Sequence, residues 1–195
     1  MPKKTFSKNI AGFTYEVWND RPTDLDLICV DQVHSNGIYH YSDESSKNNA
    51  DAIISNNKND ILAIRTADCL PIVLIGDHEF ALVHAGWRGL QSEILLQDRL
   101  KELKPQYAFI GPHIRVEQYE VGEDFKQNFP KSTHFLDRQG KIHFNMLAMA
   151  QEQLSSNYHG IIIEDSALDT FTNEDFHSYR RGDLLQRNWN ILKYN

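Results

Sequence analysis

One cysteine and two histidines stand where a metal ion or a nucleophilic reaction could use them. Cys69 lies just before the apolar run 71–75 and His84 just after the run 80–83, with Gly76-Asp77-His78-Glu79 between them as a turn. Antiparallel pairing of the two runs predicts a hairpin that brings both side chains to one end of a sheet. His34 closes Gln32-Val33-His34, after the apolar run 27–30 and before the loop-forming Ser35-Asn36-Gly37, and supplies a third ligand-type side chain. Thiolate and imidazole are preferred zinc ligands, and three protein ligands leave a fourth position open, the pattern of catalytic rather than structural sites. The spacing carries no CxxC or HExxH signature, and the same residues admit two other readings. Cys69 could be a nucleophile with His84 as its base, or a small buried thiol beside two histidines satisfied within the fold. Arg65 and Arg88 flank the group, where they could grip a phosphate or carboxylate or pair with surface acids. Arg180 and Arg181 face the same choice.

The elements that must position these residues follow from the pattern along the chain. Residues 6–18 alternate aromatic and polar side chains as an early strand, 20–24 form a turn, and 25–33 form a buried strand delivering His34. The polar stretch 41–49 reads as a surface loop or a lid. Strands at 50–54 and 61–64 enclose a turn at 56–60, and the second leads directly into Arg65-Thr66-Ala67-Asp68-Cys69. After the hairpin, Leu90, Ile94, Leu95, Leu96, Leu100 and Leu103 recur at helical spacing and predict one helix ending before Pro105. Its start near Gly89 would sit beside His84 as an anion pocket. Further strands are expected at 107–110, 142–144, 160–163 and 189–192, with an amphipathic run around Phe125 and Phe129 and a helix at 145–154. Strands and helices mix without strict βαβ alternation, so the expected architecture is α+β, a mixed α/β sandwich, over one domain spanning 1–195.

Composition narrows the function classes. The chain has 195 residues, enough for one well-buried domain, and 41% hydrophobic and 24% charged residues, the balance of a globular protein. No apolar run reaches membrane-spanning length, and Met1-Pro2-Lys3-Lys4-Thr5 is not followed by an apolar stretch, so no membrane association and a cytoplasmic location are expected. Free thiols rather than a Cys29–Cys69 disulfide fit that compartment. The net charge of −7, with dispersed Lys and Arg, argues against nucleic acid as a partner. A bound anion should therefore be small and locally held.

Several motifs, taken together, resemble the laccase-domain, YfiH-like family: Gln32-Val33-His34, Arg65-Thr66-Ala67-Asp68-Cys69-Leu70-Pro71, Val83-His84-Ala85-Gly86-Trp87-Arg88-Gly89, Gly111-Pro112, Tyr119-Glu120-Val121-Gly122 and Phe176-His177-Ser178-Tyr179-Arg180-Arg181. The resemblance implies a YfiH-like fold and a broad purine nucleoside phosphorylase, acting on adenosine, inosine, guanosine and methylthioadenosine, with accompanying adenosine deaminase activity. It implies His34, Cys69 and His84 as metal ligands, usually for zinc, with copper a weaker choice, and purine nucleoside and phosphate as partners of a monomer or homodimer. Some members resemble amidases that edit peptidoglycan precursors, and a non-catalytic metal- or nucleotide-binding protein is the third expectation. On the resemblance, Cys69, His84 and Asp68 would be catalytic, Asp68 orienting a ligand or relaying a proton. Arg65, Arg88 and Arg180 would hold phosphate. The chain departs from the family in a shortened N-terminal part, in His113, expected at the surface, in Asp169-Thr170 before the SYRR motif, and in Gln186-Arg187.

Overall fold

A computed structural model describes residues 1–42 and 48–195. In chain order the strands are β1 (Lys4–Ile10), β2 (Phe13–Trp18), β3 (Leu27–Cys29), β4 (Ile38–His40), β5 (Ala52–Ser55), β6 (Ile61–Thr66), β7 (Leu70–Ile75) and β8 (Phe80–Ala85). Two short helices follow, α1 (Trp87–Gln91) and α2 (Asp98–Glu102), then β9 (Tyr107–Ile110), β10 (Glu120–Val121), β11 (Phe135–Arg138), β12 (Lys141–Phe144), α3 (Met146–Asn157), β13 (Ile162–Asp165) and β14 (Asn188–Tyr194). They form a five-stranded sheet ordered β1-β2-β14-β6-β3, a six-stranded sheet ordered β13-β9-β7-β8-β5-β4, and a small sheet ordered β10-β12-β11.

The six-stranded sheet is the middle layer, and its side chains show why. In β7, Leu70, Ile72 and Leu74 join Leu90, Ile94, Leu95 and Leu154 in a core under the helices. Val73 and Ile75 point the other way, toward Tyr15, Leu62, Ile64 and Leu192 of the five-stranded sheet. Side chains alternate across a strand, so a sheet covered on both faces needs apolar residues at every position. The continuous burial of β7 and β8 is the outcome. This is the α+β sandwich expected from the sequence.

The predicted hairpin forms as β7 and β8 in antiparallel register, Leu70 opposite Ala85 and Ile75 opposite Phe80. Other expectations need correction. The early strand is two strands, β1 and β2, joined by Ala11 and Gly12 with φ of 43° and 87°, the left-handed pair that a two-residue hairpin turn requires. The single helix expected over 90–103 is broken into α1, a 3₁₀ turn at Ile94–Leu96, and α2, with Glu93 at φ 58° between the first two. Leu90, Ile94, Leu95 and Leu100 are fully buried all the same. The break is accommodated because α3 and the residue after it supply donors to carbonyls on either side: Gln153 Nε2 bonds Leu90 O at 2.8 Å, beside the Glu93 N–H at 3.1 Å, and Tyr158 Oη bonds Leu95 O at 2.8 Å. The run around Phe125 is a 3₁₀ helix, Glu123–Asn128, whose Phe125 meets Trp87 edge-on and Phe144 at a tilt. The strand expected at 160–163 is displaced to β13. Residues 43–47, the centre of the expected lid, lie outside the described residues.

Candidate metal centre and anion cleft

Three loops at one end of the sandwich converge. β8 ends in His84-Ala85, the chain enters β7 through Asp68-Cys69, and the loop after β3 carries His34. His84 shares the face of Leu82, toward the five-stranded sheet, and is only 3% exposed. The ligand-type atoms of His34, Cys69 and His84 all lie within 4.8 Å of one another, the one such group among the described residues. The two imidazoles meet edge to face with centroids 4.8 Å apart. A Cβ on Gly86 would stand 2.9 Å from Cys69 Sγ and 3.5 Å from His34 Cδ2, so a side chain there would fill the space between the ligands. One thiolate and two imidazoles of this spread suit a borderline-soft ion such as zinc.

Electrostatics support the thiolate. Burial alone would push the Cys69 thiol up, but the charge and hydrogen bonds of His84 and His34 outweigh it and bring it from 9.0 to about 6. Burial likewise disfavours charge on His84, but Cys69 and Asp51 outweigh it and raise the imidazole from 6.5 to about 9. Both cysteines are free. Burial raises the Cys29 thiol against weaker pulls from Arg21 and Arg65.

Asp51, immediately before β5, escaped the sequence reading. It is fully buried, and its Oδ1 accepts from His84 Nδ1 at 2.8 Å. The signal available in the sequence was an acid directly before the strand that pairs with the strand carrying His84. Burial pushes its carboxyl up, yet the bonds from His84 and Ser35 outweigh it and hold it below the usual carboxylate range.

Asp68 has φ 85°, the left-handed region that side chains other than Asn and Asp rarely adopt. Its Oδ1 accepts from Thr170 Oγ1 at 2.7 Å and its Oδ2 from the Arg180 N–H at 2.7 Å. The carboxylate thus ties the loop entering β7 to the Ser178–Arg181 stretch, and Thr170 of the departing Asp169-Thr170 pair makes one of the ties. His113 is corrected: it is fully buried, with Nδ1 2.8 Å from Gly111 O and Nε2 3.3 Å from Arg115, and it stands outside the metal-type group.

Beside the three ligands opens a cleft of about 720 Å³, within the range of small-molecule sites. Four arginines line it, Arg65, Arg88, Arg180 and Arg187, although the whole chain carries −7. They are not equivalent. The Arg180 guanidinium donates to Glu120 O at 2.8 Å and lies over the Tyr119 ring, while Arg187 donates to the carbonyls of Leu184 and Gln186 in its own loop. Arg65 and Arg88 lie over Trp189 and Trp87, and among the described residues neither has a carboxylate partner. Among the described residues, these two therefore do not make the surface pairing that was the alternative. Arg181 turns inward and donates to the carbonyls of Thr170 and Phe171, a clamp on the loop rather than a ligand group. The expected helix-start anion pocket is modest, since α1 begins at Trp87 and has only five residues. Tyr119, also in the wall, keeps a neutral phenol, because burial and the Cys69 thiolate hold its pKa well above the ordinary value.

Comparisons with known proteins bear on the family and the fold. Residues 13–189 match the family described as multi-copper polyphenol oxidoreductase laccase. A protein named purine nucleoside phosphorylase from Aquifex aeolicus is 35% identical over 163 residues, 80% of this chain and 77% of its own length. Purine nucleoside phosphorylase RC0672 of Rickettsia conorii is 35% identical over 187 residues, covering 86% of this chain and 76% of its own. Among solved structures, a Neisseria meningitidis protein superposes with a TM-score of 0.80 at 22% identity over 97% of this chain and 98% of its own. YlmD from Geobacillus stearothermophilus gives a TM-score of 0.71 at 22% identity over 87% and 73%, and at such identities the likeness is one of fold. With most of its length matched and its His34, Cys69 and His84 gathered in one place, the chain belongs to the laccase-domain, YfiH-like family.

Proposed function

We propose that this protein is a zinc-dependent purine nucleoside phosphorylase, acting on adenosine, inosine, guanosine and methylthioadenosine, with adenosine deaminase activity at the same site. The observation that carries the reading is the adjacency of a metal-type His/Cys/His group to a cleft lined by Arg65 and Arg88, neither of which has a described carboxylate partner. Two relatives named purine nucleoside phosphorylase support the phosphorylase part of the reading. In phosphorolysis a phosphate oxygen bonds to the anomeric carbon as the carbon–nitrogen bond breaks, and the purine leaves with the electron pair and takes up a proton. Arg65 and Arg88 bind and orient the phosphate dianion, which must approach in line to react. Trp87, Tyr119 and Met146 form the less polar wall that the base can cover. Tyr119, neutral through the physiological range, is an available O–H donor to the departing base. His34, Cys69 and His84 would hold zinc, which when bound supplies Lewis acidity to polarise a substrate atom. Cys69 and His84 serve catalysis through that role, and Asp68 serves it by anchoring Arg180. Cytoplasmic residence fits the two free thiols.

Multicopper oxygen reduction finds no support in the residues, because the described chain gathers a single group of three donors. A second reading, a thiol-dependent amidase, is favoured by the row Asp51–His84–Cys69, which has the connectivity of orienting acid, base and nucleophile. Phosphate kinetics separate the two. Arg88→Ala should raise the KM for phosphate about tenfold or more, with a smaller change in the KM for nucleoside, consistent with loss of a charge-assisted contact. No release of purine base from these nucleosides with phosphate present, together with cleavage of an amide substrate, would turn the assignment toward the amidase.

A further inference from the structure

We propose that Asp51 is the positioning residue of the metal centre, fixing the tautomer of His84 and the backbone of His34 with one carboxylate. The proposal rests on the reading of His34, Cys69 and His84 as ligands.

Each oxygen of Asp51 has a separate task. Oδ1 accepts from His84 Nδ1 at 2.8 Å and from the His34 N–H at 3.0 Å. Oδ2 accepts from Ser35 N–H at 2.5 Å, Ser35 Oγ at 2.9 Å and, more distantly, Val33 N–H at 3.4 Å. The main chain of Asp51 reinforces the arrangement, since its carbonyl accepts the His84 N–H at 2.7 Å and its own N–H donates to Gly37 O at 2.9 Å. A fully buried carboxylate with this many donors is a rigid hub.

Two consequences follow for the ligands. With Nδ1–H of His84 donated to a carboxylate, Nε2 is the nitrogen left to face Cys69 and His34. A histidine whose outer nitrogen donates to a carboxylate is the better metal ligand, because its tautomer and ring orientation are set in advance. His34 sits at φ 58°, a left-handed conformation in which its side chain leaves the loop at an unusual angle. Three successive N–H groups, from Val33, His34 and Ser35, converge on Asp51 and hold that loop in place. Backbone strain of this kind persists where the surroundings over-determine it, and here one side chain does so. Asp51 therefore couples two ligands that are 50 residues apart in sequence. Asn at this position would keep the shape but turn an NH₂ group toward N–H donors, leaving either His84 or the loop without an acceptor.

The test combines zinc titration with nitrogen-15 NMR of the histidine side chains. In the zinc-loaded unmodified protein, His84 should show a protonated Nδ1 and a metal-shifted Nε2. Asp51→Asn should bind zinc about 10- to 100-fold more weakly in competition with a chelator, with His84 no longer held in a single tautomer. Circular dichroism of the metal-free variant separates this from misfolding. Should the variant not fold, the spectrum of the unmodified protein still decides, because zinc on His84 Nδ1 would overturn the proposal. Unmodified protein that binds no zinc overturns both the ligand reading and this inference. Zinc bound normally by Asp51→Asn overturns this inference alone.

Discussion

At the scale of single residues, the chain's two thiols make opposite statements. Cys69 is brought down to about 6 by His84 and His34, whereas burial pushes Cys29 up. In metal-free protein, the thiolate of Cys69 should be the dominant form from about pH 6 upward, and His84 should stay protonated until about pH 9, so the pair is zwitterionic between those limits. Alkylation of Cys69 by iodoacetamide, followed by peptide mass spectrometry, should rise with a midpoint near pH 6, should outpace Cys29, and should be suppressed by zinc. A midpoint near 9, the ordinary thiol value, would contradict the electrostatic account. The residue types that make this chemistry were plain in the sequence, and so was their meeting at one end of a hairpin. Asp51 was not, because its one local mark, an acid directly before a strand, does not reveal that it works through a partner 33 positions away.

At the scale of elements, the C-terminal stretch from Ser178 to Arg187 is joined to the loop entering β7 by one carboxylate, that of Asp68. It contributes Tyr179, Arg180, Leu185 and Arg187 to the cleft, and it is tied to the loop entering β7 through the Arg180 N–H on Asp68. Asp68→Asn tolerates the left-handed backbone but offers one acceptor where two donors converge. It should destabilise the protein by about 1–3 kcal/mol, the penalty for leaving a buried hydrogen-bonding group unpaired. The loss should be local as well: limited proteolysis within 178–187 should accelerate, and the Arg180 amide should exchange faster with solvent. Unchanged proteolysis and melting would remove Asp68 from this role and return it to the proton-relay role expected from the resemblance.

Element boundaries were legible where the pattern was two-fold and failed where tertiary partners override spacing. The hairpin of β7 and β8 follows directly from two apolar runs around a turn. The break at Glu93 does not, because Leu90, Ile94, Leu95 and Leu100 keep helical spacing while Gln153 and Tyr158, more than 60 positions on, satisfy the carbonyls that a continuous helix would have used. His113 misled for a similar reason: a polar side chain after Gly111-Pro112 reads as surface, but its Nδ1 finds the Gly111 carbonyl inside.

At the scale of the whole molecule, the middle sheet is buried on both faces, and the termini of its strands are the place where charge can collect. The mixed architecture could be anticipated from strands and helices that do not alternate. The pairing of the last strand, β14, between β2 and β6 could not, since it joins residues about 125 and 175 positions apart. That pairing brings the C-terminal loop to the cleft, so completion of the site awaits closure of the whole five-stranded sheet. An acidic chain of −7 thereby gathers four arginines at one mouth, a focused attraction for a small anion.

The most direct test of the central claim is chromatography of the products formed from adenosine by zinc-loaded protein, with and without phosphate, beside His84→Ala. Adenine and ribose 1-phosphate appearing only with phosphate, inosine appearing without it, and both lost in the variant are the predicted results. Adenosine left intact under every condition would contradict the account.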